Sequence, residues 1–137
     1  MVKPEVIRRR IVKLEEYLAY LKKISLQPEN TFISTPEYFG SAERFLQLSI
    51  EMINDMGSHI VADEGLGQVN RSAEVPGIHF NKGLIDQYLY DPWTKMIGLR
   101  NLLVHEYLVI DRKIVYQGLQ TQIDDLEKMK MFFANYL

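Results

Sequence analysis

Apolar residues recur every three or four positions through most of the chain, and this spacing constrains the fold more than any other feature. The clearest stripe lies near the N-terminus, at Ile7, Ile11, Leu14, Leu18 and Leu21. Such a repeat places the side chains on one face of an amphipathic helix. Strand-like alternation never persists for more than a few residues. The pattern therefore predicts an all-α, up-and-down bundle of four to five helices, about four of them long.

Prolines predict where the first two helices end and begin. The first helix stops near Pro28, because the residue before a proline is disfavoured in the α region. A turn-rich stretch over 29–34 follows it. Thr35 then fits a helix N-cap, with a proline at the first helical position, where proline is tolerated. From there the apolar spacing predicts an unusually long helix that reaches about Ala62.

The second half of the chain predicts a loop, a short helix and two more long helices. Glycines and a proline make 63–77 the best loop candidate. A short, weakly patterned helix follows within 78–90. Asp91 can cap the next helix, with Pro92 at its first position. Asp111 can cap the last helix in the same way.

The composition excludes several classes of protein. No apolar stretch approaches the ~20 residues that cross a bilayer, and the charged N-terminus has no apolar core of a secretory signal. Cysteine is absent, which excludes a disulfide scaffold and a thiolate metal site. We therefore expect a single domain over residues 1–137, located in the cytoplasm and away from membranes, with no cofactor and no bound metal.

The charge is unevenly distributed along the chain. A formal net charge of −2 argues against a protein that coats nucleic acid along a broad surface. Residues 1–23 nevertheless hold seven Lys or Arg against three Glu, a local charge of +4, so the remainder sums to −6. This segment is either a solvated helix face or a patch that contacts phosphate. Net charge alone leaves both interpretations open.

Two of the three histidines are predicted to have structural or surface positions. His59 falls within the long second helix, where a partly buried structural role is expected. His79 lies in or near the loop and is predicted to be at the surface. Neither has a His, Asp or Glu neighbour at metal-ligand spacing beyond what chance gives, which argues against zinc.

The third histidine belongs to a polar group at the end of an apolar helix. Arg100, Asn101, His105 and Tyr107 interrupt this helix, and Asn101 and His105 share one face. The group suits cleavage of an RNA phosphodiester. Histidine can move the 2′-hydroxyl proton or protonate the leaving oxygen, arginine can hold the phosphate, and an amide can orient the imidazole or contact phosphate. From spacing alone, two cations that stabilise a helix C-terminus remain an alternative.

The wider segment resembles a known family. The run from Gly98 to Tyr107, with Asp111 after it, resembles the HepT toxin family of the HEPN superfamily, whose pattern is Arg-x4-His-x-Tyr. The run 44–51 and the Gly-Leu-Gly sequence at 65–67 resemble the middle region of that family. The resemblance extends roughly from residue 38 to the C-terminus, and the motif is its most specific part.

The resemblance implies a site and partners. It implies a homodimer in which two Arg-x4-His motifs form one composite ribonuclease site, with Arg100 and His105 catalytic and Asn101 supporting. It also implies a minimal nucleotidyltransferase antitoxin that blocks the site by adding AMP to Tyr107. In the family the motif helix already runs at the position of Pro92, so here the helix either starts at Asp91 or kinks there.

Three functions follow from the sequence. The first is a metal-independent endoribonuclease toxin that cleaves RNA through the substrate's own 2′-hydroxyl. The second is a non-catalytic helical partner that binds a nucleotidyltransferase. The third is a plain helical adaptor. An adaptor has no need of one helix end that carries Arg100, Asn101, His105 and Tyr107 together.

Overall fold

A computed structural model describes residues 2–106 and 108–137, and these form helices and turns without a strand. The helices are α1 (Pro4–Ser25), α2 (Glu29–Ser34), α3 (Pro36–Asp63), α4 (Val75–Asn81), α5 (Gln87–His105) and α6 (Arg112–Ala134). A 3₁₀ turn at Ser72–Glu74 precedes α4. The all-α class and the four long helices are confirmed, while two short helices raise the described total to six. No helix within these residues has both the length and the apolarity to cross a bilayer.

Helix α3 is the central element of the bundle and packs against every other helix. The predicted stripe of α1 is buried along its whole length, with Ile7, Leu14 and Leu21 fully inaccessible to solvent. Each such side chain contributes about 1.5–3 kcal/mol through removal of apolar surface from water. Helices α1, α3 and α6 therefore form the main core, and α5 packs against α3 and α6 beside it.

The stretch 29–34, predicted as turns, is a helix. Its one fully buried side chain is Phe32, whose ring lies 5.1 Å from that of Tyr116 on α6. The Tyr116 hydroxyl donates to the Gln27 carbonyl at 2.8 Å, which fixes the entry to this helix. Six residues are too few for a repeat of three to four to stand out in the sequence.

Helix α5 begins at Gln87, so the predicted start at Asp91 is wrong and Pro92 lies inside the helix. A proline there removes the hydrogen bond that would run to the carbonyl of Tyr88. This defect is confined to the first two turns, and the helix continues unbroken to His105. The motif therefore keeps its helical spacing.

The start of α5 is anchored on α3 by an indole ring. Trp93 is fully buried, and its Nε1 donates to Oδ1 of Asn54 at 3.1 Å. A Cβ on Gly57 would lie 2.6 Å from the Trp93 ring, so only glycine lets the ring approach this closely. The long helix continues past Gly57 to Asp63, and the glycine thus serves the packing that sets the position of α5.

Candidate functional site

The guanidinium of Arg100 is held across the boundary between α5 and α3. Its Nε and Nη2 donate to the same carboxylate oxygen, Oε1 of Glu51, at 3.2 and 3.0 Å. Its Nη1 donates to Oδ1 of Asn101 at 3.2 Å. The Arg100 and Glu51 side chains are 28% and 32% exposed, so the ion pair is partly shielded but still borders solvent.

The carboxylate that holds Arg100 is itself held by other residues of α3. Nε2 of Gln47, one turn earlier, donates to Oε1 of Glu51 at 3.2 Å. Nη1 of Arg44 donates to Oε1 of Gln47 at 3.4 Å. Residues three and four apart share one helix face, so these side chains form a continuous polar row that ends at Arg100.

Sequence reasoning missed Glu51. The run 44–51 contributed only to the family resemblance. A signal was present, because Gln47, Glu51 and Asp55 recur every four residues along one face of a predicted helix. The partner of that face could not be known, since Glu51 and Arg100 lie 49 residues apart in the chain.

A cleft of about 390 Å³ lies beside Arg100 between α3 and α5. Its polar lining includes Glu51, Asn54 and Asp55 from α3. The Asn54 amide is fixed on both sides, because it accepts from Trp93 and donates to the Ser72 carbonyl at 3.1 Å. The charged and amide side chains of the cleft wall therefore already have partners within the chain.

The basic residues of α1 are largely paired with carboxylates. Arg8 donates to Glu5 at 2.8 Å, one turn earlier on the same exposed face. Lys22 reaches Glu127 of α6 at 2.8 Å. Arg10 donates to Asp55 on the wall of the cleft. These pairs favour the solvated-face interpretation over a free phosphate patch, and exposed pairs of this kind contribute little to stability.

His105 is the last residue of α5, and its side chain is exposed. It lies five residues beyond Arg100, about 7.5 Å further along the helix axis at 1.5 Å per residue. Its imidazole forms no hydrogen bond with another residue of the described ranges. The structure thus joins Arg100 to Asn101 directly and leaves the imidazole open to solvent. The remaining motif residue, Tyr107, lies outside the described residues.

Exposed apolar side chains lie close to His105 along the chain. Leu102 on α5 is 40% exposed, and Leu108 and Val109, just after the helix, are 84% and 76% exposed. Contiguous exposed apolar side chains are typical of surfaces that contact a partner. Leu102, Leu108 and Val109 are thus apolar side chains near His105 in the sequence that are accessible to solvent.

His79 is fully buried, so its predicted surface position is wrong. Its Nε2 donates to the Gly57 carbonyl at 3.0 Å, and its ring lies 5.0 Å from that of Trp93. Burial lowers the pKa of His79, although the hydrogen bond to Gly57 opposes this shift. The ring helps to fasten α4 and α5 to α3. His59 is half-buried, which agrees with its predicted structural role.

Sequence comparisons identify relatives that are described as nucleases. Residues 14–131 match the profile of a family described as "Ribonuclease HepT-like". The chain is 34% identical over 83 residues to the "mRNA nuclease HepT" of Shewanella oneidensis, a match that covers 61% of this chain and 62% of that protein. It is 31% identical over 122 residues to the "tRNA nuclease HepT" of Aphanizomenon flos-aquae, covering 86% and 80% of the two chains.

A comparison of structures identifies the same fold. A solved structure described as tri-AMPylated Shewanella oneidensis HEPN toxin in complex with MNT antitoxin matches with a TM-score of 0.86. It is 25% identical and covers 95% of this chain and 97% of that one. These findings confirm the family predicted from the motif, and ribonuclease is the class that the description of the family carries.

Proposed function

Since the chain belongs to the ribonuclease HepT-like family, we propose that it is a metal-independent endoribonuclease and the toxin of a toxin–antitoxin pair. Arg100 and His105 are the catalytic residues. The observation that carries this proposal is one helix end that presents a fixed guanidinium and an open imidazole together. An adaptor surface has no need for either arrangement.

The reaction uses the 2′-hydroxyl of the RNA as nucleophile. A base takes the 2′-hydroxyl proton, the 2′-oxygen bonds to phosphorus, and the bond from phosphorus to the 5′-oxygen breaks as that oxygen gains a proton. The products are a 2′,3′-cyclic phosphate and a free 5′-hydroxyl. His105 moves these protons, and Arg100 stabilises the charge that develops on the non-bridging oxygens.

Asn101 supports the arginine in this scheme. Its Oδ1 accepts from Nη1 of Arg100, so the amide orients the guanidinium rather than the imidazole. The guanidinium carries five N–H groups, and three of them are engaged by Glu51 and Asn101. One N–H on Nη1 and one on Nη2 remain for a phosphate oxygen.

A second copy of the chain completes the site. Cleavage needs one group that accepts a proton and one that donates it, and two His105 side chains from a homodimer provide both. The exposed Leu102, Leu108 and Val109 beside His105 support burial of this surface against the second copy.

A minimal nucleotidyltransferase antitoxin neutralises the toxin by adding AMP to Tyr107. The tyrosine oxygen attacks the α-phosphorus of ATP, pyrophosphate leaves, and the tyrosine carries a new phosphodiester. The adduct brings negative charge and bulk two residues from His105, which opposes the entry of RNA. The AMPylated Shewanella toxin, solved with its MNT antitoxin, supports this part of the proposal.

Cleavage by the purified chain tests the proposal. We expect the unmodified chain to cut RNA in the presence of EDTA and to leave 2′,3′-cyclic phosphate ends, with His105→Ala as the inactive control. A wild-type chain that is free of AMP and cuts no RNA would overturn the ribonuclease function. Tight binding to a nucleotidyltransferase in that case would favour the non-catalytic partner.

Mass spectrometry tests the modification. After co-expression with a nucleotidyltransferase, we expect the mass of one or more AMP groups on the peptide that contains Tyr107. An unshifted mass, or AMP on another tyrosine alone, contradicts the assignment to Tyr107.

A further inference from the structure

We propose that Glu51 is a positioning residue that presents Arg100 to the phosphate of the RNA. This inference rests on the proposed function and adds a residue that the motif does not contain.

Glu51 engages only one edge of the guanidinium. Its Oε1 accepts from Nε and Nη2, which form one side edge of the guanidinium. One N–H remains on Nη1, which also donates to Asn101, and one remains on Nη2. The carboxylate therefore leaves the arginine open to phosphate while it fixes the plane of the fork.

An ordered Arg100 side chain should raise the rate of RNA cleavage. A free arginine on a helix surface samples many rotamers, and ordering it during the reaction would cost free energy. An arginine that is already ordered acts as a preorganised donor toward charge that develops in the transition state. The support also comes from a rigid element, because Gln47 holds Glu51 from the preceding turn of α3.

The same carboxylate carries a charge that opposes RNA binding. Glu51 lies beside the group that is to hold a phosphate, and its negative charge weakens the attraction of Arg100 for phosphate in the bound substrate. Loss of Glu51 should therefore lower kcat and leave KM unchanged or lower. Loss of a residue that merely binds RNA would instead raise KM.

Asp55 provides a matched control. It lies one turn after Glu51 on α3, lines the same cleft and pairs with Arg10 of α1 instead of Arg100. Asp55→Ala removes a cleft carboxylate and an ion pair of the same kind without touching the arginine of the motif. Any general effect of charge or packing in the cleft should appear in this variant as well.

Three substitutions at Glu51 separate position from charge. Glu51→Ala should lower kcat about tenfold, which corresponds to the loss of one orienting contact in the transition state. Glu51→Gln keeps an acceptor oxygen at the same reach and should stay within about threefold of wild type. Glu51→Asp keeps the charge but withdraws it by one methylene, so its kcat should fall like that of the alanine variant.

Steady-state cleavage of a short RNA by the wild-type homodimer and these variants tests the inference, with thermal melting to establish that each is folded. The pattern expected is low kcat for the alanine and aspartate variants, near-normal kcat for the glutamine variant, and no change for Asp55→Ala. Wild-type kcat in Glu51→Ala, full activity in Glu51→Asp, an equal loss in Asp55→Ala, or a raised KM alone would overturn it. Failure of the proposed function is distinct, because the wild-type chain would then cleave nothing.

Discussion

The two ends of α5 differ in almost every physical respect. At its start, Trp93 is fully buried against Gly57 and His79, and an indole N–H fixes it to Asn54. At its end, the side chain of His105 is exposed, and its imidazole forms no hydrogen bond with a described residue. The packed start of α5 thus holds the helix on α3, and the exposed end of the same helix carries His105.

Removal of the open imidazole should have the largest effect. His105→Ala should lower RNA cleavage by about 10²–10⁴-fold, the usual contribution of a general acid or base. Its free energy of unfolding should stay within about 0.5 kcal/mol of wild type, since the side chain is exposed. Cleavage rates and urea unfolding measure the two quantities. A loss of stability together with activity would show that the exposed end of α5 also contributes to the stability of the fold.

A methyl group at the packed end should lower the stability of the fold, which His105→Ala should leave unchanged. Gly57→Ala places a carbon 2.6 Å from the Trp93 ring, and the overpacking should cost about 1–3 kcal/mol of stability. Gly40→Ala is the control on the same helix, because its Cβ meets no atom within 4 Å. That variant should gain about 0.5–1 kcal/mol from helix propensity. Equal stability of the two variants in urea would contradict the close approach of Trp93.

The buried histidine should make the packed end sensitive to acid. Burial lowers the pKa of His79 in the folded chain, whereas an unfolded histidine titrates near 6.5. Its contribution to stability is therefore fully present above that pH and is lost as the pH falls toward the lower folded pKa. The slope is at most about 1.4 kcal/mol per pH unit.

Urea unfolding at pH 7.5 and 5.5 measures this slope. His79→Gln should show a smaller loss of stability on acidification than wild type. His59→Gln, at a half-buried position, should retain most of the wild-type loss. An identical pH dependence in wild type and His79→Gln would exclude His79 as the cause.

The sequence predicted those parts of the fold that depend on neighbours along the chain. The stripe of α1 is buried as predicted, and Asp111 caps α6 by accepting from the Lys113 backbone N–H at 2.9 Å. Helix α3 begins at Pro36 as predicted, although the Thr35 side chain forms no capping hydrogen bond. Asp91 does not cap α5, because the helix begins at Gln87 and Asp91 lies inside it.

The parts that the sequence did not predict depend on contacts between distant residues. His79 is buried because its helix packs on Gly57, 22 residues earlier, and no local pattern encodes that contact. The same holds for Glu51, whose contact with Arg100 exists only because α3 and α5 lie side by side. The motif identified Arg100, Asn101 and His105 as candidates. The contact that holds the arginine could be recognised only in the folded structure.

The ion pairs of the basic residues on α1 should make the binding of RNA only weakly dependent on salt. Because Arg8, Arg10 and Lys22 already face carboxylates, few of these cations are free to displace counterions from RNA. If the composite site contributes one Arg100 from each copy, the logarithm of affinity should fall with the logarithm of salt with a slope of about −1.4. Affinity would then drop only about sevenfold between 50 and 200 mM salt. A much steeper slope, measured by titration of uncleaved RNA, would reveal a wider basic surface at work.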